Sequence, residues 1–99
     1  MNEEEKFERE FVKVAVDIAV NQLGMEKKQF AIEALMVDDR NEGSAERALY
    51  SLLKPTLKTG KPQTLSLREA YRMAKTIKED FARLCWKVED AIKKDSQES

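Results

Sequence analysis

The stretch LSLREAYRMAKTI, residues 65–77, decides how the chain is read. Ser66 and Glu69 stand three apart at the head of an apolar series. That is the pattern of a capping box, in which the serine side chain accepts from the glutamate's backbone N–H and the glutamate reaches back to the serine's own. Leu65, just before the cap, is placed to staple onto Ala70. Tyr71, Ala74 and Ile77 continue at helical spacing. The stretch therefore reads as a helix with a defined start, and nothing in it alternates as a half-buried strand would.

The same period runs outward in both directions. Toward the C-terminus, Phe81, Leu84, Val88 and Ala91 or Ile92 predict a last helix over residues 80–94. Lys78-Glu79-Asp80 holds neither glycine nor proline, so the last two helices are expected to be nearly continuous and the total is four or five. Residues 95–99 read as a disordered tail after a single helical domain over 1–94. Toward the N-terminus, residues 55–64 form a basic loop holding both prolines. Before it, a helix capped by Ser44 and ended near Lys54 by Pro55 carries Leu49, Leu52 and Leu53 inward. Residues 38–43, DDRNEG, are all charged, polar or glycine and read as a loop. A helix over 26–36 places Phe30 and Ala34 on one side, with Ala31 and Leu35 beside them.

The first helix is expected over 3–22, with an acidic start that suits the helix dipole and Gly24 as its terminator. From Phe11 onward it is apolar nearly all round, apart from one polar stripe of Lys13, Asp17 and Asn21. A helix of that kind is central and contacted on several sides. Lys13 and Asp17 are spaced to pair at i,i+4. The expected fold is all-α, a single small domain of four to five helices. Its core is expected to hold Phe11, Ile18, Phe30, Leu49, Leu53, Ala70, Ala74 and Leu84.

Composition removes several classes of function. With 99 residues, 41% hydrophobic and 37% charged, the chain can build one modest core. It has no histidine, so the commonest general base and the commonest metal ligand are both missing. Its one cysteine, Cys85, can form neither an internal disulfide nor a thiolate zinc site, and reads as a buried small apolar residue. No enzymatic activity, cofactor, metal or small-molecule substrate is expected. The acidic N-terminal stretch does not look like a signal peptide, and no apolar run approaches the roughly 20 residues of a membrane span. A cytoplasmic location with no membrane association follows as the expectation.

Charge is unevenly placed. Residues 1–39 carry 5 Lys/Arg against 10 Asp/Glu, while residues 40–83 carry 10 against 5. Within 44–78 the balance is 8 against 2. A basic segment in a chain of net charge −1 points to a face that binds a polyanion, the competing explanation being charge that merely solvates helix surfaces.

Three segments in order resemble a known family. LGMEKKQFAIEAL (23–35), SAERALYSLLK (44–54) and GKPQTLSLREAYRMAKTI (60–77) are similar to the scaffold helix, the recognition helix and the loop-plus-helix of phage-repressor or Cro-like (lambda-repressor-like) helix-turn-helix domains. The chain differs from that pattern in three places. Leu35 stands where the family usually has glycine, the connection over 37–43 is several residues longer, and the loop before the last helix has no glycine.

The resemblance implies a sequence-specific transcriptional regulator that binds double-stranded DNA. Residues 44–54 would then enter the major groove, with Arg47 reading a base edge and Ser44 and Ser51 touching bases or phosphates. Lys54, Lys58 and Lys61 would hold phosphates, with Thr59 adding a neutral contact. Arg68, Arg72 and Lys75 line the next helix and would extend the footprint, although a solvated helix face is the first reading for them. Such domains often act as dimers, and Trp86 with Ile92 offers a homodimer contact on the last helix. Trp86 and Tyr71 otherwise read as core or interface residues. The competing function is a non-enzymatic protein-interaction module, an adaptor or a subunit of a larger assembly. The apolar wrap of the first helix and the overall acidity speak for it.

Overall fold

The computed structural model describes residues 3–36, 41–53 and 65–98, without side-chain detail for Glu3, Glu5, Glu42 and residues 95–98. Among them are five α-helices and no strand: α1 (Glu3–Asp17), α2 (Lys27–Leu35), α3 (Glu42–Leu53), α4 (Leu67–Thr76) and α5 (Phe81–Glu98). The chain is an all-α single small domain.

The first helix is shorter than its apolar pattern predicts. After Asp17 the backbone widens into a π-helical turn, Ile18–Gln22, in which the Leu23 N–H donates to the Ile18 carbonyl at 3.0 Å. Gly24, at φ 69°, takes the left-handed conformation that a residue without Cβ adopts readily. The Met25 N–H then closes the end on the Ala19 carbonyl at 2.8 Å. The polar stripe Lys13, Asp17 and Asn21 faces solvent as expected. Asp17 takes its hydrogen bond from the Asn21 amide one turn on, in place of the Lys13 pairing that spacing suggests.

Phe11, Val12, Ala15, Val16, Ile18 and Ala19 are all buried, so α1 and its π turn are covered on most of their circumference. The cover comes from α5 along one side and from α3 and α4 on others. The second helix is short but equally enclosed. It lies between α3 and α4, and Phe30, Ala31, Ala34 and Leu35 are wholly buried.

The start of α4 follows the sequence reading closely. Glu69 N–H donates to Ser66 Oγ at 3.1 Å, and Ser66 N–H donates to Glu69 Oε1 at 3.0 Å. Leu65 is half-buried against the core. Glu69 is 4% exposed, the sole buried charged residue among those described, and the cap supplies one of its partners.

Three starts and ends differ from expectation. α3 begins three residues early: the Asn41 side chain, not Ser44, caps it, accepting from the Ser44 N–H at 2.8 Å. Asparagine is as good a cap as serine, and here it wins the position three residues ahead. The last two helices are not fused. Lys78 adopts φ 58°, the Lys78 N–H donates to the Lys75 carbonyl at 3.1 Å, and the Glu79 N–H to the Ala74 carbonyl at 2.9 Å. That is a Schellman ending with lysine in the place glycine usually fills. Asp80 then restarts the helix, its Oδ2 accepting from the Arg83 N–H at 3.2 Å, and Lys87 braces the corner with a 2.7 Å ion pair to Glu79. At the far end α5 runs on to Glu98, so residues 95–98 continue the helix instead of forming the expected tail.

Of the expected core, Phe11, Ile18, Phe30, Leu49, Ala70, Ala74 and Leu84 are buried, and Leu53 is half-buried. Met73 is fully buried while Tyr71 is 50% exposed, because the inward face of α4 runs through Ala70, Met73, Ala74 and Ile77. Tyr71 instead ends an aromatic chain across three helices. Phe7, Phe11, Phe81 and Tyr71 follow one another at centroid spacings of 6.2, 6.0 and 6.3 Å, tilted as aromatic pairs prefer.

Two substitutions test these ends. Ser66→Ala removes one half of the capping box and is expected to lower unfolding stability by about 1 kcal/mol. Lys78→Gly relieves the left-handed strain and is expected to raise stability by about 1 kcal/mol, the unfolded chain's extra freedom taking back part of the gain. Urea unfolding followed by circular dichroism measures both, and a loss of stability in Lys78→Gly would contradict the assignment of that turn.

Candidate functional site

Packing against α2 leaves α3 with one outward face. Ala45, Ala48, Leu49 and Leu52 are buried, whereas Arg47 and Tyr50 are exposed and Ser44 and Ser51 are half-buried. This follows from the sequence, since 45, 48, 49 and 52 form an i, i+3, i+4, i+7 stripe. Arg47 Nε approaches the Gly43 carbonyl at 3.4 Å, a long contact within its own helix that leaves most of the guanidinium's donors to solvent. Ser44, Arg47 and Ser51 thus lie on one helix, with Arg47 outermost. Lys54, Lys58, Thr59 and Lys61 lie outside the described residues.

The next helix carries a second outward stripe of Arg68, Tyr71, Arg72 and Lys75, all exposed. Arg72, and Lys75 together with Tyr71, have intramolecular roles. Arg72 reaches across to α2 and donates through Nη2 to the Glu33 carbonyl at 3.0 Å, satisfying one of the carbonyls a helix leaves open in its last turn. Lys75 Nζ lies 5.1 Å from the centre of the Tyr71 ring, within range of a cation–π contact. Arg72 therefore clips α4 to α2, a role the sequence could not show because the acceptor is a backbone atom 39 residues away.

An apolar groove of about 860 Å³ opens where α1, α5 and the start of α4 meet. Phe7, Phe11, Leu65, Leu67, Phe81 and Ile92 form its walls, and charged residues from α1 and α5, among them Glu8, Glu89 and Lys93, stand on its rim. Leu67 is 75% exposed although it opens a helix. Helical spacing did not pick it out, because it lies off the buried face of α4. Trp86, on α5, is 66% exposed, whereas Cys85 beside it is half-buried. Burial pushes the Cys85 thiol above its ordinary range, and the Glu89 carboxylate one turn on adds to that.

Among the described residues no group of three or more Cys, Asp and Glu side chains converges to hold a metal ion. No helix there is long and apolar enough to cross a membrane. The chain shows no significant match to protein-family models, to curated proteins or to solved structures.

A raised thiol pKa combined with partial burial makes Cys85 a poor nucleophile. Alkylation by iodoacetamide at about pH 8 is expected to run several-fold slower than for a free thiol, and its pH profile to lie above the usual cysteine value of about 8.5. A rate equal to that of a small thiol across the pH range would refute both.

Proposed function

We propose that this protein is a sequence-specific DNA-binding regulator that places α3 in the major groove. The observation that carries the reading is the arrangement of α3. It rests along its apolar stripe on α2 and turns Arg47 outward at mid-helix, with Ser44 in the first turn and Ser51 in the last. A helix held from behind by a second helix, with a fork-shaped donor on its free face, is what base-edge readout requires. The charge pattern supports it, because residues 44–78, which run from Ser44 of α3 through the segment that follows it, carry 8 Lys/Arg against 2 Asp/Glu. The acidic first segment then belongs on the side away from the duplex, where its repulsion does not cancel the attraction.

The energetic roles divide cleanly. Arg47 reads a base and supplies preference. Lys54, Lys58 and Lys61 neutralise phosphates and supply affinity without sequence information. Ser44, Ser51 and Thr59 add neutral contacts. Arg72, already tied to the Glu33 carbonyl, contributes to the placement of α4 more than to the footprint.

A second reading, a protein-interaction module, is favoured by one observation, the apolar groove with Leu67 at its mouth. The two readings part on a single experiment. Selection from random duplex DNA at about physiological salt is expected to enrich a motif. Failure to retain any duplex even at low salt, with the fold intact, would overturn the DNA reading and leave the groove as the functional surface.

Two classes of variant refine the test. Neutralising Lys54, Lys58 or Lys61 is expected to lower the slope of log affinity against log salt by roughly one unit each, uniformly across sequences. Arg47→Ala is expected to cost about 1–3 kcal/mol on the preferred site and to relax preference at one base position, with little change in slope beyond its own charge.

A further inference from the structure

The outward face of α5 exposes a tryptophan, and the charges around it are arranged to match a second copy of itself. Trp86 lies opposite the buried Leu84 and Val88, and is 66% exposed. Arg83 stands three residues before it, Asp90 four after it, and Ala82 and Glu89 occupy the matching positions on the other flank.

At about 100° and 1.5 Å per residue, Arg83 and Asp90 fall on the same flank of Trp86, about 4.5 Å before it and about 6 Å beyond it along the axis. Ala82 and Glu89 fall on the opposite flank at comparable heights. Pairing two α5 helices antiparallel about a two-fold axis at Trp86 reverses height and keeps the flank. Each Arg83 then meets the other copy's Asp90 with an axial offset of about 1.5 Å, and each Glu89 meets an alanine. A parallel pairing would set Asp90 against the other copy's Glu89, two like charges. The charge pattern selects the antiparallel arrangement.

We propose that the protein forms a homodimer through α5, in antiparallel register centred on Trp86, with reciprocal Arg83–Asp90 ion pairs. Helical side chains incline toward the N-terminus, the side on which Ala82, exposed and small, leaves room for the other copy. Lys87 sits near the two-fold axis, and its 2.7 Å pair with Glu79 balances the charge that two approaching lysines would otherwise set against each other. Asp90 also meets Lys94 at 3.2 Å, a contact with 74% and 40% exposed partners that water weakens and that a bidentate arginine can outcompete. One helix face is a small interface, so the dimer is weak and concentration-dependent. It does not depend on DNA and is tested without it.

Sedimentation equilibrium of the full chain, from micromolar to near millimolar, reads the association. Wild type is expected to show a monomer–dimer equilibrium and Trp86→Ala to stay monomeric. Arg83→Asp and Asp90→Arg are each expected to weaken association roughly tenfold or more, because each sets like charges together. The double variant Arg83→Asp/Asp90→Arg is expected to recover the wild-type constant, which no structural role within one copy would produce. Tryptophan emission on dilution of wild type provides an independent reading, expected to shift to the red as the indoles reach water. A monomeric wild type at all concentrations, or a double variant no better than the singles, would overturn the proposal.

Discussion

A helix that is apolar around most of its circumference is stable in water only when other helices close over it, and α1 sets that condition here. Phe11, Val12, Ala15, Val16, Ile18 and Ala19 present apolar surface in several directions at once. Burying one such side chain contributes roughly 1.5–3 kcal/mol, so leaving any one side open would remove much of a small domain's margin. α5 covers one side while α3 and α4 cover others, and α2 locks the last two together from behind. The π turn at Ile18–Gln22 belongs to the same solution. One wider turn keeps Ile18 and Ala19 buried while Asn21 and Gln22 reach solvent, and lets the chain turn away at Gly24.

The covering helices must arrive at the right angles, and their ends control this. The Ser66–Glu69 box fixes where α4 begins, and the Lys78 turn followed by the Asp80 cap separates α4 from α5 by a sharp corner. A straight fusion of the two would have carried Phe81 away from Phe11. Instead the rings lie 6.0 Å apart, and the chain Phe7–Phe11–Phe81–Tyr71 ties α1, α5 and α4 into one aromatic seam. The left-handed lysine costs free energy that this seam and the Lys87–Glu79 pair offset.

The proposed function uses what this packing leaves exposed. α3 spends its apolar stripe on the core, so only the Arg47–Tyr50 side remains to meet a partner. α5 likewise turns Leu84 and Val88 inward and holds Trp86 out. The two surfaces lie on different helices with different chemistry: one is a forked cation beside serines, the other an indole flanked by charges of opposite sign.

The sequence by itself determined the helical class, the capping box, Gly24 as a terminator and seven of the eight side chains expected in the core, all now seen buried. These rest on interactions within a few residues or on a period that any packing must respect. It also set Arg47 and Ser51 on the side of α3 away from the inward Leu49 and Leu52. Only the tertiary structure decided that Asn41 caps α3, that Lys78 breaks α4 from α5, and that Tyr71 yields its core place to Met73. Each is a competition between locally acceptable alternatives. Asparagine and serine cap equally well, lysine enters the left-handed region only when distant contacts demand the turn, and a helix stripe can rotate by one residue until its neighbours fix it. Arg72 belongs with them, because a guanidinium that clips two helices through a backbone carbonyl leaves no trace in the pattern of side chains.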